Sequence, residues 1–86
     1  MRKLTEQDFI DIIGFTFGDE EHIGYTVLKA RPREGSKCYG IALVKSEGEF
    51  STWLFYVDEE MGRCTKWGHW CDSEEEEALK DYEVRS

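Results

Sequence analysis

Phe50-Ser51-Thr52-Trp53-Leu54-Phe55-Tyr56-Val57-Asp58-Glu59-Glu60-Met61-Gly62-Arg63-Cys64-Thr65-Lys66-Trp67-Gly68-His69-Trp70-Cys71 is the stretch that decides the fold. It holds all three tryptophans, two of the three cysteines and one of the two histidines. Its β-branched and aromatic residues suit a pleated surface. Glu59-Glu60-Met61-Gly62 interrupts it as a turn, with Gly where positive φ is wanted. The segment reads as two antiparallel strands, Phe50 to Asp58 and Arg63 to Cys71. Both faces carry large apolar side chains, and such a sheet must be covered on both sides.

Cys38 to Lys45 reads as the preceding strand, joined through the tight turn Ser46-Glu47-Gly48-Glu49. His22 to Arg31 alternates as another, with Ile23, Tyr25 and Val27 on one side, and Pro32 to Ser36 supplies its hairpin loop. Thr5 to Ile13 reads as a short helix. Thr5 caps it, Glu6 and Asp8 favour its dipole, and Phe9, Ile10, Ile12 and Ile13 form its stripe before Gly14. Phe15 to Gly18 is a link and Asp19-Glu20-Glu21 an acidic turn. Ser73 is expected to cap a final helix in a capping box with Glu76, and Ala78, Leu79 and Tyr82 form its narrow stripe. The order α-β-β-β-β-α predicts one α+β domain over residues 1–86, a four-stranded antiparallel meander flanked by an N-terminal and a C-terminal helix.

Pairing Ser46 with Glu49 and Asp58 with Arg63 divides the side chains between two faces. Face one collects Ile23, Tyr25, Val27, Tyr39, Ile41, Leu43, Phe50, Leu54, Tyr56 and Trp67. Face two collects Leu28, Cys38, Ala42, Val44, Trp53, Phe55, Val57, Cys64 and Trp70, with His22, Ser51 and Lys66. Two short helices can cover one such face, or each face in part. Face one is bulkier and is expected to lie beneath both. Trp53, Phe55, Val57 and Trp70 then remain as an apolar, partner-binding patch. The competing arrangement puts one helix on each face and makes the tryptophans ordinary core.

Net charge is −8 and the pI near 4.7. Lys and Arg are scattered, Arg31, Arg33 and Lys37 being the densest group, so direct nucleic-acid binding is not expected. No apolar run approaches the roughly 20 residues of a membrane span, and the N-terminus has no apolar signal core. These features predict a soluble, cytoplasmic protein with free thiols. Asp19, Glu20, Glu21, Glu47, Glu49, Asp72, Glu74, Glu75 and Glu77 all map to one end of the sheet. Such an acidic pole attracts cationic surfaces, or imitates the phosphates of a nucleic acid.

Chemistry has little to build on. His69 and Cys71 form an H-x-C, but Cys64 lies seven residues from Cys71 on one strand, or roughly 23 Å away. That separation defeats a zinc site, which needs about four converging ligands. No phosphate loop or nucleophile motif is present. No catalytic residue, cofactor or metal is expected.

Glu49-Phe50-Ser51-Thr52-Trp53, Trp67-Gly68-His69-Trp70 and Glu77-Ala78-Leu79-Lys80-Asp81-Tyr82-Glu83 together resemble small uncharacterised accessory proteins of bacterial conjugative elements and phages. The resemblance covers the second half of the chain. It implies a mobile-element context and no catalytic residues. The functional expectation is a small acidic, non-enzymatic interaction module. It forms a homodimer or binds a partner protein through its aromatic face. The alternative is a nucleic-acid mimic that blocks a host nucleic-acid-binding protein.

Overall fold

A computed structural model describes residues 1–18 and 24–85. Helix α1 spans Glu6–Asp11. Strands follow at Thr16–Phe17 (β1), Tyr25–Pro32 (β2), Gly40–Ser46 (β3), Glu49–Asp58 (β4) and Gly62–Trp70 (β5), and helix α2 spans Glu75–Val84. The strands form one antiparallel sheet in the order β1-β2-β3-β4-β5. The fold is α+β, with five strands in place of the expected four. The extra strand β1 lies in the stretch read as a link. Gly14, at φ 85°, turns the chain back, and its N–H donates to the Val27 carbonyl at 2.8 Å. Two residues carry no periodicity, so sequence alone does not reveal this strand.

The central hairpin matches its expected register, with Ser46 opposite Glu49 and Ile41 opposite Leu54. Glu47 (φ 47°) and Gly48 (φ 83°) both occupy the left-handed region, as a two-residue hairpin turn requires. The last hairpin closes one residue earlier than expected, with Asp58 opposite Gly62. The Asp58 carboxylate accepts from the N–H groups of Glu60 (2.8 Å) and Met61 (3.0 Å) and so tightens this turn. A bulge follows: Thr52 pairs with His69 but Leu54 with Lys66, leaving Trp67 and Gly68 against Trp53. The combined shift moves Cys64 and Lys66 to face one and keeps Trp70 on face two. A second irregularity at Leu28 turns Tyr25 and Val27 onto face two, the reverse of the expected side.

The coverage also differs from expectation. Ile12 and Phe9 from the α1 region pack on face two, with Phe17, Val27, Ala42, Val44 and Phe55. Ala78 and Tyr82 of α2 pack on face one, with Ile41, Leu43, Phe50 and Leu54. Each helix therefore takes one face, and the expectation of both helices on face one is overturned. Curling of the sheet explains how so little helix suffices. The Tyr25 and Thr65 hydroxyls lie 2.9 Å apart, joining β2 to β5 across face two. The Arg63 guanidinium sits 4.5 Å from the Phe15 ring centroid, joining β5 to the β1 side. The strongly twisted sheet thus shelters its own concave face.

The helix ends are held differently. Thr5 and Asp8 form a reciprocal capping box on α1, with Asp8 in place of the usual Glu. Ser73 lies outside α2. Glu74 occupies the N-cap position and makes no side-chain cap hydrogen bond among the described residues. The far end of α2 is fixed instead: Arg31 donates to the Tyr82 carbonyl at 2.6 and 3.1 Å, and Arg85 to the Thr52 carbonyl at 2.8 Å. Among the described residues no helix is long and apolar enough to cross a membrane.

Candidate functional site

Curling leaves a hollow of about 650 Å³ between the β1–β2 side and β5. Its apolar walls are Phe17, Tyr25, Trp53 and Trp70. Phe17 stacks on Tyr25 with centroids 5.7 Å apart, and Tyr25 on Trp53 at 5.5 Å. Trp70 stands at 89° to Trp53, 5.4 Å away. The Trp53 indole N–H donates to the Ser51 hydroxyl at 2.9 Å, which fixes the ring. Gly68 lets β5 pass closely, since a Cβ there would lie 2.5 Å from Trp53. The rim is polar. Glu47 and Glu49 come from the β3–β4 turn, Arg63 and Thr65 from β5.

The four residues of the expected partner-binding patch separate. Trp53 is half-buried and Trp70 is 62% exposed, both at the hollow. Phe55 is 1% exposed and meets the Phe9 ring edge-on at 5.5 Å, so it belongs to the core. Val57 is half-buried, and its carbonyl accepts from the Arg2 N–H at 3.3 Å. Phe17 and Tyr25 take the places of Phe55 and Val57 beside the indoles. Sequence reasoning missed both, one within the link and one on the wrong face. Trp67 is 61% exposed but lies away from the hollow, its ring 4.4 Å from the Lys66 ammonium and 6.0 Å from the Arg33 guanidinium.

The described acidic residues lie around the same end. The Phe50 N–H donates to the Asp72 carbonyl at 2.6 Å and the Cys71 N–H to the Phe50 carbonyl at 2.9 Å. This ties the α2 approach to the start of β4, next to Glu49. Glu47, Glu49, Asp72, Glu74, Glu75 and Glu77 are all exposed. Asp19, Glu20 and Glu21 lie outside the described residues. Among the described residues no group of three or more His, Cys, Asp or Glu side chains could hold a metal ion.

The remaining polar groups form a clamp. The His69 Nδ1 lies 3.0 Å from the Asp81 carboxylate, and the buried Thr52 hydroxyl donates to that same carboxylate. Arg85 donates to the Thr52 hydroxyl at 3.0 Å and to the Trp67 carbonyl. Burial pushes the Asp81 carboxyl up, but the hydrogen bonds from Thr52 and His69 outweigh it and hold the group below its ordinary range. The clamp joins α2 to β4 and β5. The Cys71 thiol is pushed up by burial and then by Asp81, Glu77 and Asp72, which disfavours its thiolate form. Cys38, Cys64 and Cys71 are all free thiols. No protein-family model, curated protein or solved structure matches this chain.

Proposed function

We propose that this chain is a small, non-enzymatic interaction module that binds a protein partner, or a second copy of itself, through the aromatic hollow. Trp70 carries the reading. A tryptophan 62% exposed on the outer strand, packed edge-on against a half-buried Trp53 beside an open hollow, has the character of a binding anchor. The clamp on face one and the raised Cys71 thiol both favour a structural role over catalysis. Three free thiols suit work in the reducing cytoplasm. The acidic balance disfavours direct nucleic-acid contact.

The acidic end supports a second reading, a mimic of nucleic-acid phosphate that blocks a nucleic-acid-binding protein, as suits a mobile-element accessory protein. One experiment separates the two. A partner retained on immobilised protein is measured with Trp70→Ala, with Trp67→Ala, and with Glu47, Glu49, Glu74, Glu75 and Glu77 all changed to Gln. The hollow reading expects Trp70→Ala to lower affinity about 30-fold, the effect of a 2 kcal/mol hot spot, and Trp67→Ala to change it little. It also expects binding to persist at about 0.5 M salt, where charges are screened within a few Å. Full binding by Trp70→Ala, with loss in the Gln variant, establishes the mimic and rejects the hollow.

A further inference from the structure

The hollow combines two features. Its walls are aromatic, and its rim carries two carboxylates from one turn, Glu47 and Glu49. Trp53 and Trp70 touch edge to face, so a group in the hollow lies beside the pair, against the exposed indole of Trp70. Aromatic faces carry negative potential and attract organic cations, and more strongly when the cation is partly desolvated. Exposed carboxylates near the mouth raise the local concentration of cations.

We propose that the hollow accepts a lysine side chain from a basic segment of the partner, with its stem against Trp70 and its ammonium group facing Glu47 and Glu49. This rests on the reading of the hollow as a binding site and names the chemistry it selects. Charge complementarity chooses the occupant. The chain carries −8 overall, and Asp72, Glu74, Glu75 and Glu77 stand at the same end. Arg63 is the rim's opposing charge, but its guanidinium is already seated 4.5 Å over the Phe15 ring. The lysine stem is apolar and matches the walls, while its head is a compact donor that suits the carboxylates.

The test uses two blocked tripeptides, Ala-Lys-Ala and its neutral counterpart with norleucine in place of lysine. Each is titrated into the full chain while the indole N–H signals are followed by NMR. The lysine peptide should shift the Trp53 and Trp70 signals, leave Trp67 in place, and bind about tenfold more tightly than the norleucine peptide. The double variant Glu47→Gln, Glu49→Gln should erase that preference. The control double variant Glu75→Gln, Glu77→Gln removes as much charge from α2 and should keep at least half of the affinity. Trp70→Ala should abolish the response, and its unchanged amide spectrum elsewhere would establish that the fold is intact. Equal binding of the two peptides overturns the lysine proposal while leaving the hollow a binding site. The same holds for equal loss in the α2 control. Absence of any indole shift from the lysine peptide also overturns the proposal, while retention of a partner by the Trp70→Ala variant is what rejects the hollow itself.

Discussion

A Cβ on Gly68 would lie 2.5–2.6 Å from three atoms of the Trp53 ring, closer than side chains approach in packed proteins. Trp53 is held on its other sides by Tyr25, Trp70 and the Ser51 hydroxyl, so it has little room to yield. Gly68→Ala should therefore cost about 1–3 kcal/mol, the usual penalty of overpacking. Urea unfolding measures that loss, and the tryptophan emission should move to longer wavelength as the indole is pushed toward water. Unchanged stability and emission would show that Gly68 does not set the ring position. Trp53 and Trp70 were legible in the sequence as the aromatic pair of one face. Tyr25 was not, because an irregularity at Leu28 reverses its strand and leaves no mark in a run of alternating residues. Gly68 did carry a signal, since glycine inside a strand marks a bulge or a close approach.

Helix α1 has only six residues, too few to be stable without its cap and its packing. Arg2 donates two hydrogen bonds to the Asp8 carboxylate, at 2.6 and 2.7 Å, and the Thr5 N–H donates a third at 2.6 Å. The Arg2 hydrogen bond is the main reason that the Asp8 carboxyl lies well below the ordinary carboxylate range. A carboxyl depressed in the folded state stabilises fully above its unfolded pKa of about 4 and loses that contribution as pH falls through the folded value. The parent protein should therefore lose melting temperature on acidification below about pH 4 more steeply than Asp8→Asn, and should exceed it at pH 7. Parallel acid limbs for the two proteins would contradict this. The α1 cap at Thr5 was legible from Thr, Glu and Asp in their usual places. The α2 cap at Ser73 was misread. Four consecutive glutamates satisfy the capping pattern at several positions, and the bonds from Phe50 to Asp72 and from Arg31 and Arg85 at the far end decide where the helix begins and lies.

The whole molecule solves its coverage problem by curling. The α+β class and the antiparallel order of the long strands follow from turn residues and alternation, and the two-residue turn at Glu47-Gly48 sets the central register. Alternation left two divisions of the helices between the faces open, and the less favoured one, a helix on each face, is found. It depends on curvature, which arises from bulges and from contacts such as Tyr25 with Thr65, forty residues apart in the chain. Curling draws Phe55 into the core and leaves Trp53 and Trp70 at the hollow, so on the proposed reading a partner approaches past Trp70. Position-specific photocrosslinking tests this most directly. A benzophenone amino acid, whose aromatic side chain takes the place of the indole, replaces Trp70 in one protein and Met61, 79% exposed on the β4–β5 turn, in another. After irradiation in an extract of the source cells, crosslinked protein, whether a partner or a second copy, should form from position 70 at about ten times or more the yield from position 61, in keeping with a hot spot at the interface centre. Equal yields from the two positions, or crosslinks from position 61 alone, would contradict the assignment of the hollow as the contact surface.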